Sequence, residues 1–393
     1  MTAPRIEIDL RKIRQNAALL VQRLGQRGIG VTGVTKAVCG RPDVAKAMLE
    51  AGVVALADAH IENVERMRRA GIHAPITLIR TPMMSQADRI PEVCAASYNT
   101  ELDVIHKLAA AALRANTVHG VILMVEMGDL REGIMPGDLP AVAGKAAAIP
   151  GVYLKGIGAN FACLSGVTPA PEAMAELSEL AGAIEGPFGP RLEVISGGNS
   201  ANLPALLGGE HSGRVNDLRL GEAVLLGVDP VSGRRIDGLF TDAFTVVAEV
   251  IETRSSLRAI ETLTMAPARA SVGNDGAFGQ VSQSIIAIGR QDTDIDGLFM
   301  PLGLNFVGAT SDHLIVKTPA MRLTIGAEVA FQPNYAALMR IMAAPNVAQV
   351  VLAPTGKVET GSRPAAWCRR QRSISNGAGL HTATSIGNAH DDQ

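Results

Sequence analysis

Aromatic side chains are scarce: eight Phe, three Tyr and one Trp amount to 3% of 393 residues. A ring platform for stacking nucleic-acid bases is therefore excluded, and the core falls to Ala, Val, Ile, Leu and Met within a hydrophobic fraction of 47%. An excess of either charge is also missing. Thirty-six basic against 38 acidic residues leave a net charge of −2 with no basic block, which argues against nucleic acid or an anionic membrane as partner. No apolar run reaches the ~18 residues of a membrane helix. The opening MTAPRIEIDLRKIRQN is charged throughout and lacks the apolar stretch of a secretory signal. Cysteine is limited to Cys39, Cys94, Cys163 and Cys368, with no CxxC pair, so structural zinc and a redox dithiol are not expected. Together these absences predict a reduced, cytoplasmic chain with no resident metal.

What is present is a rhythm. Short apolar runs at 29–36, 53–58, 75–80, 94–98, 119–127, 151–161, 192–196 and 215–220 alternate with helical stretches such as PDVAKAMLEAG and TELDVIHKLAAAALRAN. Eight β-then-α units in about 200 residues predict a (β/α)8 barrel over residues 1–230. A doubly wound open sheet is the alternative. After Gly227 the pattern changes to β-type runs bounded by Gly, Pro, Asn and Asp, with one helix at 334–344. This predicts a mainly β domain over 231–355, with a strand at 4–9 pairing into it. Residues 356–393 are polar and aperiodic and read as a disordered tail that carries Trp367.

Four places carry chemistry. Lys36 closes the strand VTGVTK, where barrel enzymes place their reactive groups. Partial desolvation between Val34 and Val38 suits a Schiff-base lysine; a strand-end lysine reaching for water is the plain alternative. In SGGNSANL (196–203), Asn199, Ser200 and Ala201 open a helix after a strand, a natural phosphate site or an ordinary N-cap. In VNDLRLGEAVLLG (215–227), Arg219 lies in an apolar strand and needs a partner, either Asp217 or Glu222 or a ligand; Gly221 allows close approach. In EMGDLREGI (126–134), Arg131 follows a Gly-Asp turn, with a fork suited to a carboxylate.

The order of these four motifs resembles the fold-type III pyridoxal-phosphate enzymes, the alanine racemase family, over residues 4–345, with Asn16 in the opening segment. VTKAVCG, GDLREGI, SGGNSANL, LRLGEAVLLG, IAIGRQD, GATSDHL and FQPNYAAL are similar to the branch that includes ornithine racemase. The resemblance implies pyridoxal 5'-phosphate (PLP) on Lys36 and the substrate carboxylate at Arg131. It implies the cofactor phosphate at Ser200, Ala201, Gly221 and Glu222 with Tyr335, and Arg219 at the pyridine nitrogen. The implied activity is interconversion of L- and D-amino acids by two-base proton transfer. A basic amino acid such as ornithine is the expected substrate, with Asp129, Asp292 and Asp312 either facing its cationic side chain or paired with Arg131, Arg290 or water. The implied assembly is a head-to-tail homodimer with shared active sites.

The chain departs from the family pattern. Gly40 stands in place of a tyrosine after the lysine strand, Asn160 replaces a histidine, and Arg290 in IGRQD replaces the tyrosine that serves as second base. His313, Asp312 beside it, and Tyr98 are the candidates for that role, with Arg290 stabilising charge. The other histidines, His73, His119 and His211 among them, read as solvated. An aldolase or dehydratase on the same fold, and a non-catalytic PLP-homeostasis protein, are the rival readings.

Overall fold

The computed structural model describes residues 2–166, 168–170, 172–188, 191–256, 281–318 and 322–353. The expected tail at 356–393, with Trp367, lies outside the described residues.

The chain opens with β1 (Arg5–Ile8) and the helix α1 (Leu10–Gly25). Asp9 caps the helix by accepting from the Arg11 and Lys12 backbone N–H groups. Ile13, Ala17, Leu20 and Leu24 recur at helical spacing and form its buried face. Eight parallel strands follow: β2 (Gly30–Val34), β3 (Ala55–Asp58), β4 (Ile76–Leu78), β5 (Ala96–Asn99), β6 (His119–Val125), β7 (Val152–Ala159), β8 (Val194–Ser196) and β9 (Asp217–Leu220). They close into a barrel, β2 pairing with β9 through Gly30↔Asp217 to Gly33↔Leu220. An open doubly wound sheet is thereby ruled out. Such strands are covered on both faces, which is why their sequences read as continuous apolar runs rather than alternating ones. All seven residues of β6 and all four of β5 and β9 are buried.

The helix after β9 has only five residues, Glu222–Leu226. Helix α1 packs against it and against the helix Pro42–Glu50, and so fills the gap in the outer ring. Asn16 locks this arrangement. Its amide donates to the carbonyls of Val224 and Phe240 and accepts from the Phe240 N–H, at 3.0, 2.8 and 2.7 Å.

The second half is an antiparallel sheet of β10 (Phe244–Ser256), β11 (Val281–Ile286), β12 (Leu298–Phe299), β13 (Asn305–Ala309), β14 (Leu314–Thr318) and β15 (Glu328–Pro333). β1 pairs antiparallel with β10 and parallel with β16 (Ala348–Val351), so the first strand of the chain belongs to this sheet. Arg5 fixes the join by a two-pronged contact with Glu328 at 2.5 and 2.8 Å. One apolar core runs through both halves, from Leu56 and Leu220 in the barrel to Phe244, Phe331 and Leu338 beyond it. Phe244 and Phe331 belong to this core, while Tyr98 packs with Ala96, Ile122 and Met124 in a small cluster of its own; the three are the largest fully buried side chains described.

Candidate active site

The C-terminal ends of the barrel strands bring the sequence motifs together. After β2, Thr35 is fully buried and donates its hydroxyl to Asp58 at the end of β3, 2.7 Å away. Asp58 also accepts from the His60 N–H and the Asn63 amide. This fixed turn presents Lys36 at the start of one 3-10 turn, Lys36–Val38. Burial pushes the Lys36 ammonium below the usual lysine range. Cys163 opposes that shift, Arg131 adds to it, and Asp58 and Arg219 also act on the group. Arg131 and Arg219 are therefore within electrostatic reach of Lys36, as the sequence motifs required.

Arg219 is 4% exposed and finds no carboxylate. Nη1 donates to the Tyr98 hydroxyl at 2.9 Å and to Ser196 Oγ at 2.6 Å. Nη2 donates to the Ala159 carbonyl and to Asn160 Oδ1, both at 2.7 Å. Neither ion-pair partner suggested by the sequence is used. Asp217 instead accepts from Thr32 and Ser196, and no hydrogen bond joins Glu222 to Arg219. The guanidinium also stacks 4.6 Å from the centroid of the Tyr98 ring. This corrects the candidacy of Tyr98 as a base: burial raises its phenol pKa and its hydroxyl is engaged by Arg219. Beneath this layer, a cavity of about 300 Å³ opens at the N-terminal end of the barrel, with Thr32, Lys155, Glu193 and Asp217 in its wall.

The motif after β8 is partly a cap. Asn199 accepts from the Ala201 N–H at 2.9 Å and donates to the Phe161 carbonyl and to Cys163 Sγ. The Ala201 N–H is thus already taken, a correction to its expected role at a phosphate. Ser200 Oγ accepts from the Ala223 N–H at 3.3 Å and ties this turn to the one after β9. A methyl group at Gly221 would lie 3.5 Å from the Tyr335 hydroxyl and 3.3 Å from Val34. Gly221 and Tyr335 are therefore close neighbours, with Ser200 tied two residues further along the same turn. Glu222 beside it is half-buried, and burial with the nearby Asp229 pushes its carboxyl up to about 7, while Lys36 pulls it down. Burial likewise raises the Tyr335 phenol, with Glu222 adding to the effect.

Arg131 sits in a loop folded around Glu126, whose carboxylate accepts from the Gly128 and Leu130 N–H groups. Asp129 accepts from the Cys163 and Leu164 N–H groups, and its other oxygen lies 3.7 Å from Arg131. Asp129 therefore braces the loop through Oδ1 and pairs loosely with Arg131 through Oδ2, which makes no hydrogen bond. Asp292 likewise accepts from the Gly289 N–H.

His313, Asp312 and Arg290 do gather, but in the second half. Arg290 N–H donates to the Thr310 carbonyl, next to the β13–β14 turn that holds Asp312 and His313. Asp312 accepts from Gln291 and Ser311, so it does not orient the His313 ring. Arg290 is exposed and pairs with Asp296 at 3.2 Å. None of the three is among the groups that act on Lys36 within one chain. Among the described residues, no group of three or more His, Cys, Asp or Glu is placed to hold a metal, and no helix is long and apolar enough to cross a membrane.

Residues 8–230 match the family described as "Alanine racemase, N-terminal domain". The chain belongs to the alanine racemase family. It is 33% identical to a lysine racemase of Thermotoga maritima over 358 residues, covering 89% of this chain and 99% of the relative. An ornithine racemase of Acetoanaerobium sticklandii is 32% identical over 351 residues, covering 86% and 96%. Among solved structures, alanine racemase from a D-cycloserine-producing Streptomyces lavendulae shares the fold at a TM-score of 0.69 and 20% identity, covering 90% of this chain and 98% of that one.

As an amino-acid racemase of this family, the protein shows why its departures are tolerated. Gly40 has φ +61°, and a Cβ there would lie 2.6 Å from Asn63 Cβ, so no tyrosine fits. Asn160, in the histidine's place, still accepts from Arg219. Sequence reasoning missed Ser196 and Glu132, whose roles depend on partners from other strands. It also misplaced His119, which begins β6, is 1% exposed and bonds to Ser97 Oγ at 2.8 Å.

Proposed function

We propose that the protein racemises a basic amino acid, lysine or ornithine, with PLP bound at the barrel mouth, and acts as a cytoplasmic head-to-tail homodimer. The observation that carries the reading is the buried Lys36 ammonium in the turn after β2, within electrostatic reach of Arg131 and of the buried Arg219. The site residues fit the cofactor on three counts. Lys36 offers an amine biased toward its neutral, nucleophilic form. Ser200 and the turn at Gly221, with the Tyr335 hydroxyl beside it, offer hydroxyl and backbone N–H donors that would hold a phosphate. Arg219 offers a fixed cation for the ring nitrogen.

When bound, PLP supplies an electron-withdrawing ring that acidifies the substrate Cα. The residues of the chain do the rest. Lys36 Nζ takes or returns the Cα proton on the face it occupies. Arg131 holds the substrate carboxylate with its guanidinium fork. Arg219 cannot give up its proton in a protein, so it binds the ring nitrogen without protonating it. Tyr98 stacks on Arg219 and keeps that cation in place.

Inversion needs a second group on the opposite face. His313 is proposed for it, supplied with Arg290 and Asp312 by a second copy; Asp312 and His313 stand on the β13–β14 turn, with the exposed Arg290 beside them. The same half exposes Phe299, Leu302 and Phe306 at 63%, 76% and 44%, apolar surface suited to burial between copies. Cys39, Cys94 and Cys163 are free thiols, in keeping with a reducing compartment. The preference for a basic substrate rests on the activities for which the two relatives are named.

Borohydride reduction of the PLP-loaded protein followed by peptide mapping tests the assignment. The pyridoxyl group is expected on Lys36; its recovery on Lys46 or any other lysine overturns the reading.

A further inference from the structure

Glu132 was not singled out by any motif, yet two site residues meet on its carboxylate. Oε1 accepts from Arg131 Nη2 and from Asn160 Nδ2, each at 2.9 Å, and Oε2 pairs with Arg131 Nε. Asn160 is 9% exposed and turns its other end, Oδ1, to Arg219 Nη2 at 2.7 Å. The chemistry of the amide fixes this polarity. Its oxygen must face the guanidinium, so its NH2 must find an acceptor on the other side. Only an acceptor serves at that point, and Arg131 also needs one there. A carboxylate satisfies both; a Gln could not, because its NH2 would confront either Asn160 Nδ2 or Arg131 Nε. The run continues from Arg219 through Ser196 to Asp217 and Thr32, at 2.6, 2.5 and 2.5 Å.

We infer that Glu132 is a positioning residue: it holds Arg131 in the orientation that would receive the substrate carboxylate and couples it, through Asn160, to Arg219, the cation that would serve the cofactor's ring nitrogen. The inference rests on the reading above that Arg131 and Arg219 serve substrate and PLP. Its consequence is that a carboxylate arriving at Arg131 draws on the guanidinium that Glu132 already shares. The Glu132–Asn160–Arg219 bonds then readjust, and the ring at the other end reports the event. Hydrogen-bonded runs in a low-dielectric interior transmit polarisation in this way.

The experiment uses PLP-loaded protein titrated with propionate, a carboxylate without the amine needed to displace Lys36, while visible absorbance is recorded. The wild type is expected to show a saturable absorbance change. Glu132→Gln should bind propionate at least tenfold more weakly while still taking up one PLP per chain. Glu132→Asp, which keeps the charge but withdraws it by one methylene, should fall between the two; it also serves if the Gln variant does not fold. Asn160→Ala should bind propionate within about threefold of the wild type but lose the absorbance change. Wild-type propionate affinity in Glu132→Gln, or in Glu132→Asp where the Gln variant does not fold, overturns the inference and leaves the proposed function standing. Failure of the wild type to take up PLP at all removes the proposed function, and the inference with it.

Discussion

A methyl group on Gly158 would lie 2.9 Å from the Tyr98 ring, 3.0 Å from Ser196 Cβ and 3.2 Å from Arg219 Nη1. This bare stretch of β7 is what lets the Arg219–Tyr98 stack fit inside the barrel. Gly158→Ala should cost about 1–3 kcal/mol by overpacking. Since Arg219 is among the groups displaced, PLP should also bind more weakly; urea unfolding and a PLP titration check the two effects separately. His119 belongs to the same scale. Burial pushes its pKa down to about 4, so between pH 6.5 and about 4 the unfolded chain binds a proton that the folded protein does not. Stability is therefore intact above pH 6.5 and falls as pH drops through that window, by up to about 3 kcal/mol. His119→Gln should flatten this slope in urea unfolding at pH 7 and pH 4.5. An unchanged slope would mean that the ring is already charged in the folded protein. Lys36, Arg131, Arg219 and Ser200 were legible because each sits at the end of a strand or in a punctuated turn. Glu132, Ser196 and the burial of His119 were not, because the partners that reveal them, Asn160, Arg219 and Ser97, lie 28, 23 and 22 residues away.

At the level of elements, the barrel was readable because parallel strands covered on both faces leave uninterrupted apolar runs, and Gly and Pro mark the breaks between them. The role of α1 was harder to see. Its place in the outer ring follows from the shortness of the helix after β9, which nothing local in the N-terminal segment reveals. Asn16 is the joint between the two regions, with three hydrogen bonds, one buried and two part-buried, to backbone groups more than 200 residues away. Asn16→Leu leaves those groups unpaired and should cost roughly 2–5 kcal/mol, well above the ~1 kcal/mol expected for removing the helix cap with Asp9→Ala. Chemical denaturation of the two variants side by side gives the comparison. A loss for Asn16→Leu no larger than for Asp9→Ala would show that α1 is held by its apolar face alone. β16 was also unread, since Ala348–Val351 is a four-residue strand whose only described pairing is with β1, at the far end of the sequence.

For the whole molecule, β1 and the common core bind the barrel and the antiparallel sheet into one compact unit, Met1–Lys357. That unit carries Lys36, Arg131, Arg219 and Ser200 after or within the barrel strands, and Asp312 and His313 on the β13–β14 turn with Arg290 beside them. The account of a two-face proton transfer depends on two copies acting together. The measurement that bears on it most directly is incubation of the PLP-loaded protein with L-lysine or L-ornithine in D2O, followed by chiral chromatography and mass spectrometry. The account predicts that at least one of the two approaches equal L and D forms, with one deuterium at Cα of the inverted product and no aldehyde, keto acid or ammonia. Deuterium exchange without inversion, or release of any of those side products in place of the D-enantiomer, would contradict it.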